Sequence, residues 1–154
     1  MVGDSGDSGT VLVTGASGYI GSHIVANLLS KGMSVRATVR DSSDPERVEH
    51  LESLSVSDGG NLEIVEMDLL ESESVHNAVS GCESVIHTAA VVVLKSKRAQ
   101  EKIVDPSVVG TRNVLDAIDS TDSVRCLVHT SSTAAIRPSS WEDGQTLTTE
   151  TWAD

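Results

Sequence analysis

Three glycines spaced three residues apart, Gly15, Gly18 and Gly21, give this chain a place to meet a phosphate. They follow the short apolar run Val11-Leu12-Val13 and open a segment whose apolar residues recur at helical spacing. At position 15 the missing side chain permits a tight turn. At 18 it lets a pyrophosphate approach the backbone, and at 21 it lets the helix pack close to the strand. A helix starting there leaves unpaired N–H groups and a positive dipole end facing the phosphate. Ser17, Tyr19 and Ile20 flank the glycines as further candidate contacts. The spacing Gly-x-x-Gly-x-x-Gly differs from the commoner Gly-x-Gly-x-x-Gly and takes its weight from the strand before it and the helix after it. The pattern is that of a dinucleotide site.

The end of the next strand selects the dinucleotide. An NAD site of this kind places Asp or Glu there to accept from the ribose 2′-hydroxyl. This chain has Val39-Arg40. A guanidinium binds a 2′-phosphate bidentately where a carboxylate would repel it, so NADP (as NADPH) is expected ahead of NAD. Arg47, seven residues on, is placed to add a second contact, while Asp41 competes by pairing with Arg40 or taking the hydroxyl itself. Asp68, with Leu69 after it, is placed to accept from the adenine amino group, or else serves as an ordinary turn acid. Thr88-Ala89-Ala90 is small enough to lie against a flat ligand, and Thr130, Ser131 and Ser132 end a later apolar run.

The elements that must position these residues alternate. Residues 11–13 read as a buried strand and Tyr19–Ser30 as a helix closed by Lys31-Gly32. Ser34–Val39 is a second strand, and Asp44-Pro45 caps and opens a helix to about residue 54. A third strand at 62–67 precedes a helix over Ser72–Val79, ended at Gly81, and a fourth strand occupies 84–87. Residues 98–118 form a long helical segment in which Pro106 either makes a kink or starts a second half with Asp105 as cap. A fifth strand is expected at 124–130. This βαβ alternation predicts an α/β fold, a doubly wound parallel sheet with ligands at the carboxyl ends of its strands. Residues 1–9 read as a disordered tail, 10–136 as an NAD(P)-binding Rossmann domain, and 137–154 as a Ser-, Thr- and acid-rich loop leading to the remainder of a catalytic region.

Composition agrees. The 154 residues suit one domain. Apolar residues make up 38%, yet Phe is absent and aromatics are only 2%, so the core must be aliphatic, as in a parallel sheet under helices. A formal charge of −12 repels nucleic acid and anionic membranes, so a nucleotide must be held by local donors and a few placed arginines. Cys82 and Cys126 have no metal or redox spacing and fit a reduced, cytoplasmic setting. The five histidines lack ligand spacing, so no metal is expected, and His87 and His129 read as core or edge residues of strands. No Gly-x-Ser-x-Gly elbow supports a hydrolase, and no stretch is long and apolar enough to span a membrane.

Five stretches resemble the extended short-chain dehydrogenase/reductase superfamily, in its order and spacing. They are Val13-Thr14-Gly15-Ala16-Ser17-Gly18-Tyr19-Ile20-Gly21, Val35-Arg36-Ala37-Thr38-Val39-Arg40-Asp41, Met67-Asp68-Leu69, the run from Asp105-Pro106-Ser107 to Asn113-Val114-Leu115, and His129-Thr130-Ser131-Ser132. The second and fourth point to the branch that contains dihydroflavonol reductase and cinnamoyl-CoA reductase. The resemblance implies reduction of an aldehyde or ketone, a small-molecule carbonyl substrate, by hydride from NADPH. It implies a Ser or Thr that polarises the carbonyl, a Tyr that donates the proton, and a Lys four residues later that lowers the Tyr pKa. It places the catalytic serine at Ser132, with Ser131 the competing choice.

The chain departs from that family at one point. Its one tyrosine is Tyr19, inside the glycine turn, and no lysine follows Lys102, so the Tyr-x-x-x-Lys pair is absent. The run Thr149-Glu150-Thr151-Trp152-Ala153-Asp154 resembles the loop that precedes that pair. The expectation is therefore the cofactor-binding part of a reductase, inactive alone, with a sheet incomplete on its C-terminal side and an exposed edge prone to self-association as a homo-oligomer. Two rivals stand beside it: a non-catalytic NADP-binding regulatory module, and the N-terminal part of a sugar-nucleotide epimerase or dehydratase.

Overall fold

The computed structural model describes residues 9–91, 97–137, 140 and 142–153. Five strands, β1 (Thr10–Thr14), β2 (Ser34–Val39), β3 (Asn61–Glu66), β4 (Cys82–His87) and β5 (Cys126–His129), form one parallel sheet in the order β3-β2-β1-β4-β5. The helices are α1 (Tyr19–Ser30), α2 (Pro45–Glu52), α3 (Ser72–Val79) and α4 (Asp105–Asp119). The chain winds outward from β1 to β3, then crosses back to β4. The order therefore reverses between β1 and β4, where a doubly wound sheet opens a crevice at its carboxyl edge.

Both sheet faces are covered, which is why β1 is apolar throughout its middle. Val11 and Val13 pack with Val25 and Leu29 of α1 and Val48 and Leu51 of α2. Leu12, between them, faces the other way onto Val75 and Val79 of α3 and Val114 and Ala117 of α4. The alternation of side chains along a strand thus splits one sequence run between two aliphatic cores.

Local signals fix the helix ends. Asp44 accepts from the Glu46 N–H with Pro45 at the first turn of α2, as the capping pattern predicts. Gly32, at φ +73°, ends α1: its N–H donates to Leu29 O, and the Met33 N–H donates to Leu28 O, closing a Schellman motif. Several expectations need correcting. β1 extends one residue at each end of 11–13, β3 begins and ends one residue before 62–67, and β4 begins at Cys82 rather than 84. β5 is shorter than 124–130, because the Val124 N–H is used in a turn to Thr121 O before the sheet is joined.

Asp105 does not cap a second helix. Its backbone is already helical, and a π turn over Gln100–Val104 runs directly into α4, carrying Pro106 in the first turn of α4. The wider i→i+5 turn accommodates a residue that cannot donate an N–H. The Asp105 carboxylate instead accepts from Gln100 Nε2 at 2.6 Å. Of the expected tail, residues 1–8 lie outside the described residues; Gly9 is tied down, its N–H donating to Glu83 Oε2 at 3.0 Å.

Candidate functional site

The glycine turn is built by backbone geometry. Gly15 has φ +67°, and a Cβ there would sit 2.9 Å from Ala89 Cα. A Cβ on Gly21 would sit 2.3 Å from Gly15 O and 2.9 Å from Ala16 Cα, so the helix start lies directly on the turn. β2 holds the turn from the other side. Thr38 Oγ1 accepts from the Gly15 N–H at 3.3 Å, and Thr38 O accepts from the Ala16 N–H at 3.0 Å. Gly18 caps α1 without a side-chain bond. Among the described residues no acceptor meets the N–H groups of Tyr19, Ile20 and Gly21. These donors, with the dipole of a three-turn helix behind them, favour an anion.

They open into a cleft of about 730 Å³ lined by Gly15, Ser17, Gly18, Tyr19, Ile20, Gly21, Arg40, Arg47, Asp68, Leu69, Thr88, Ala89 and Ala90. All of these were expected from sequence. Thr38, Val39, Met67, Leu70 and Val91 also line it. Thr38 had a signal in the sequence, a hydroxyl between Ala37 and Val39 in the apolar second half of β2, and was missed.

At the end of β2, Arg40 is exposed and has no hydrogen-bond or ion-pair partner among the described residues. Asp41 does not pair with it. The Asp41 carboxylate accepts from Ser43 N–H (2.9 Å) and Oγ (2.7 Å), and these bonds hold its pKa below the usual carboxylate value. Glu66, across the strand ends, accepts likewise from Ser42 N–H and Oγ. Arg47 Nε donates to Asp44 Oδ2 at 2.9 Å, so the N-cap of α2 also orients that guanidinium.

The far wall follows β3 and β4. Asp68 Oδ1 accepts from the Leu70 N–H at 2.9 Å, an Asx turn, while the Asp68 side chain still borders the cleft. Asn113 of α4 donates from Nδ2 to Leu69 O at 2.7 Å, and a Cβ on Gly110 would meet Leu69 Cβ at 3.1 Å, so α4 holds this loop closely. Thr14 and His87, opposite each other in the β1–β4 register, are both buried, with Thr14 Oγ1 and His87 Nδ1 2.7 Å apart. Thr88 and Ala89 donate their N–H groups to Thr14 Oγ1, each at 3.1 Å, and Thr88 Oγ1 donates to Thr14 O at 2.6 Å. Burial, then the neighbouring His129, pushes the His87 pKa down to about 4, so the ring is neutral at physiological pH.

Three expected residues are not brought into this cleft. Thr130, Ser131 and Ser132 lie past β5 and are exposed. The Thr130 N–H donates to His87 O at 3.0 Å, and Ser132 Oγ accepts from the Ala134 N–H at 3.2 Å, capping a short 3-10 turn over Thr133–Ala135. His129 stacks on His87 with ring centroids 5.2 Å apart.

A family model described as the 3-beta hydroxysteroid dehydrogenase/isomerase family matches residues 12–153. The chain belongs to that family. The resemblance to extended short-chain dehydrogenases/reductases therefore holds, and with it the Rossmann fold. Among curated relatives, a cinnamoyl-CoA reductase of Medicago truncatula is 43% identical over 128 residues, covering 82% of this chain and 38% of the relative. The solved structure of Gre2 from Candida albicans in complex with NADPH matches with a TM-score of 0.78 at 30% identity, covering 94% of this chain and 44% of that one. A uronate dehydrogenase from Agrobacterium tumefaciens, complexed with NAD, matches with a TM-score of 0.63 at 26% identity, covering 83% and 42%. The chain thus spans about two-fifths of the length of these relatives. No helix among the described residues is long and apolar enough to cross a membrane.

Proposed function

We propose that this chain forms the cofactor-binding part of an NADP-dependent reductase that acts on an aldehyde or ketone carbonyl. The observation that carries the reading is Arg40, without a hydrogen-bond or ion-pair partner among the described residues, in the same cleft as the α1 amides that no described acceptor meets. A pyrophosphate takes the helix start between Gly15, Ser17, Gly18, Tyr19, Ile20 and Gly21. A 2′-phosphate takes Arg40 bidentately, with Arg47 beside it. Asp68 and Leu69 border the adenine, and Thr88, Ala89 and Ala90 give the nicotinamide half a wall of small side chains. The family membership and the Gre2 likeness support a nicotinamide cofactor, and the cinnamoyl-CoA reductase relative supports the reductase branch.

In the whole protein, hydride passes from the nicotinamide to the carbonyl carbon while donors meet the charge developing on oxygen. Ser132, with Ser131 as neighbour, is proposed as one such donor. In the present chain its hydroxyl accepts an amide bond and retains its proton for a substrate. No tyrosine follows Tyr19 and no lysine follows Lys102, so these 154 residues do not carry the proton-donating pair and are expected to be inactive by themselves. A second reading, a non-catalytic NADP-binding module, holds if the whole protein also lacks that pair.

Calorimetric titration of this chain with NADPH and with NADH tests the cofactor half. Tighter binding of NADPH is expected. Equal affinities would sink the 2′-phosphate role, and no binding of either would sink the cleft assignment for the chain as it stands. A downstream Tyr-x-x-x-Lys in the same reading frame separates the reductase from the regulatory module.

A further inference from the structure

The carboxyl ends of β1 and β4 are joined by a side-chain network that no cofactor atom needs to touch. Thr14 Oγ1 carries one proton and two lone pairs. The N–H groups of Thr88 and Ala89, each at 3.1 Å, occupy the lone pairs, so the proton has one acceptor left, Nδ1 of His87 at 2.7 Å. An imidazole that accepts at Nδ1 is uncharged and keeps its own proton on Nε2.

We propose that His87 is a positioning residue for the cleft: held as the Nε2–H tautomer, it orients the Thr14 hydroxyl, and that hydroxyl fixes the Thr88–Ala89 wall against the glycine turn. The wall has little slack, because Ala89 Cα lies where a side chain on Gly15 would have to go. Were His87 to donate from Nδ1 instead, Thr14 Oγ1 would face three donors with two lone pairs. One amide would then be released, and the wall would move away from Gly15. The effect on cofactor rests on the reading given under Proposed function; the tautomer and the wall do not.

Two measurements on the free chain test the chemistry. A long-range ¹H–¹⁵N correlation of the imidazoles at neutral pH should show His87 with a protonated Nε2 and a bare Nδ1; an Nδ1–H or a charged ring overturns the proposal. Backbone amide shifts of Thr88 and Ala89 should move in His87→Leu and in Thr14→Val. They should return towards the parent values in His87→Asn, whose Oδ1 stands in for Nδ1. Unmoved amides in a folded Thr14→Val, which keeps the side-chain shape should His87→Leu fail to fold, overturn the wall.

NADPH titration then reads the consequence. His87→Leu should weaken NADPH about 5–10-fold, the worth of one buried hydrogen bond, and Thr14→Val at least as much, because it also takes the acceptor from the Thr88 and Ala89 amides. The double variant Thr14→Val/His87→Leu should be no weaker than Thr14→Val alone, because the bond that His87→Leu removes is already gone there. His87→Asn should stay within about threefold of the parent. Additive losses, or no rescue by asparagine, overturn the positioning role. A parent chain that binds no NADPH yet shows the predicted tautomer and amide shifts removes the cofactor reading and leaves the wall standing.

Discussion

At the carboxyl ends of β1, β3 and β4 the turns are held by a neighbouring strand or helix, whereas beyond β5 the chain mostly bonds to itself. The glycine turn is gripped by Thr38, the Thr88–Ala89 segment by Thr14, and the Leu69 loop by Asn113. Past β5, Thr130 still reaches back to His87, but Ser132 caps its own next turn and Ala153 donates to Ala135 a short way off. Burial follows the same division: Leu12 in β1 is 0% exposed, and Val128 in β5 is 52% exposed. The turns that line the cleft are thus braced from neighbouring elements, while the strand end carrying Ser131 and Ser132 is exposed among the described residues. A dinucleotide needs the first; hydride transfer needs both.

Substitutions on either side of that divide break the comparison or sharpen it. Gly21→Val should have the largest effect. Its side chain would enter the space of Gly15 O and Ala16 Cα, so NADPH binding should fall below detection in calorimetry and thermal unfolding should show a loss of about 1–3 kcal/mol. Arg40→Glu should cost NADPH about 10–100-fold while leaving NADH nearly unchanged, as expected for one charge-assisted contact. Parallel losses for both cofactors would remove the phosphate from Arg40.

Next comes pH. His87 has a folded pKa near 4, below its ordinary value of 6.5, so the unfolded chain takes the proton first. Its contribution to stability is therefore complete above about 6.5 and falls by about 1.4 kcal/mol per pH unit towards 4. Denaturant melts at pH 7 and pH 5 should show this slope, and His87→Asn should lose it. Asn113→Ala should weaken NADPH by about fivefold, roughly 1 kcal/mol for the freed Leu69 carbonyl. Ser132→Ala should move NADPH affinity less than twofold; a larger loss would place the end of β5 inside the cofactor site.

Much of the braced side was legible in the sequence because its signals are local. Glycine spacing, Asp44-Pro45 and Arg40 after a strand each declare a turn, a cap or a charge within a few residues. What was not legible depends on partners far along the chain. Thr14 and His87 are 73 positions apart, and Leu69 and Asn113 are 44 apart. Nothing in a single strand says that its threonine will meet a histidine. Of the two readings left open at Pro106, the cap at Asp105 fails for a related reason: Asp-Pro usually marks a helix start, but here the preceding residues are already helical and widen their turn to keep the proline. Ser132 was assigned by family resemblance, which gives a place in the chain and no account of what surrounds it.

The π turn ahead of α4 also separates length from position. It holds one more residue per turn than an ordinary helix does. Deleting a single residue from 100–104 would let the helix relax to regular winding while everything from Pro106 onward keeps its seat, Asn113 on Leu69 included. The segment before it would keep its rotational phase too, since four residues of regular helix sweep about the same angle, roughly 400°, as five residues of the wider turn. The turn thus works as a length buffer, in which one residue ahead of α4 can be lost without retuning the Leu69 side of the cleft.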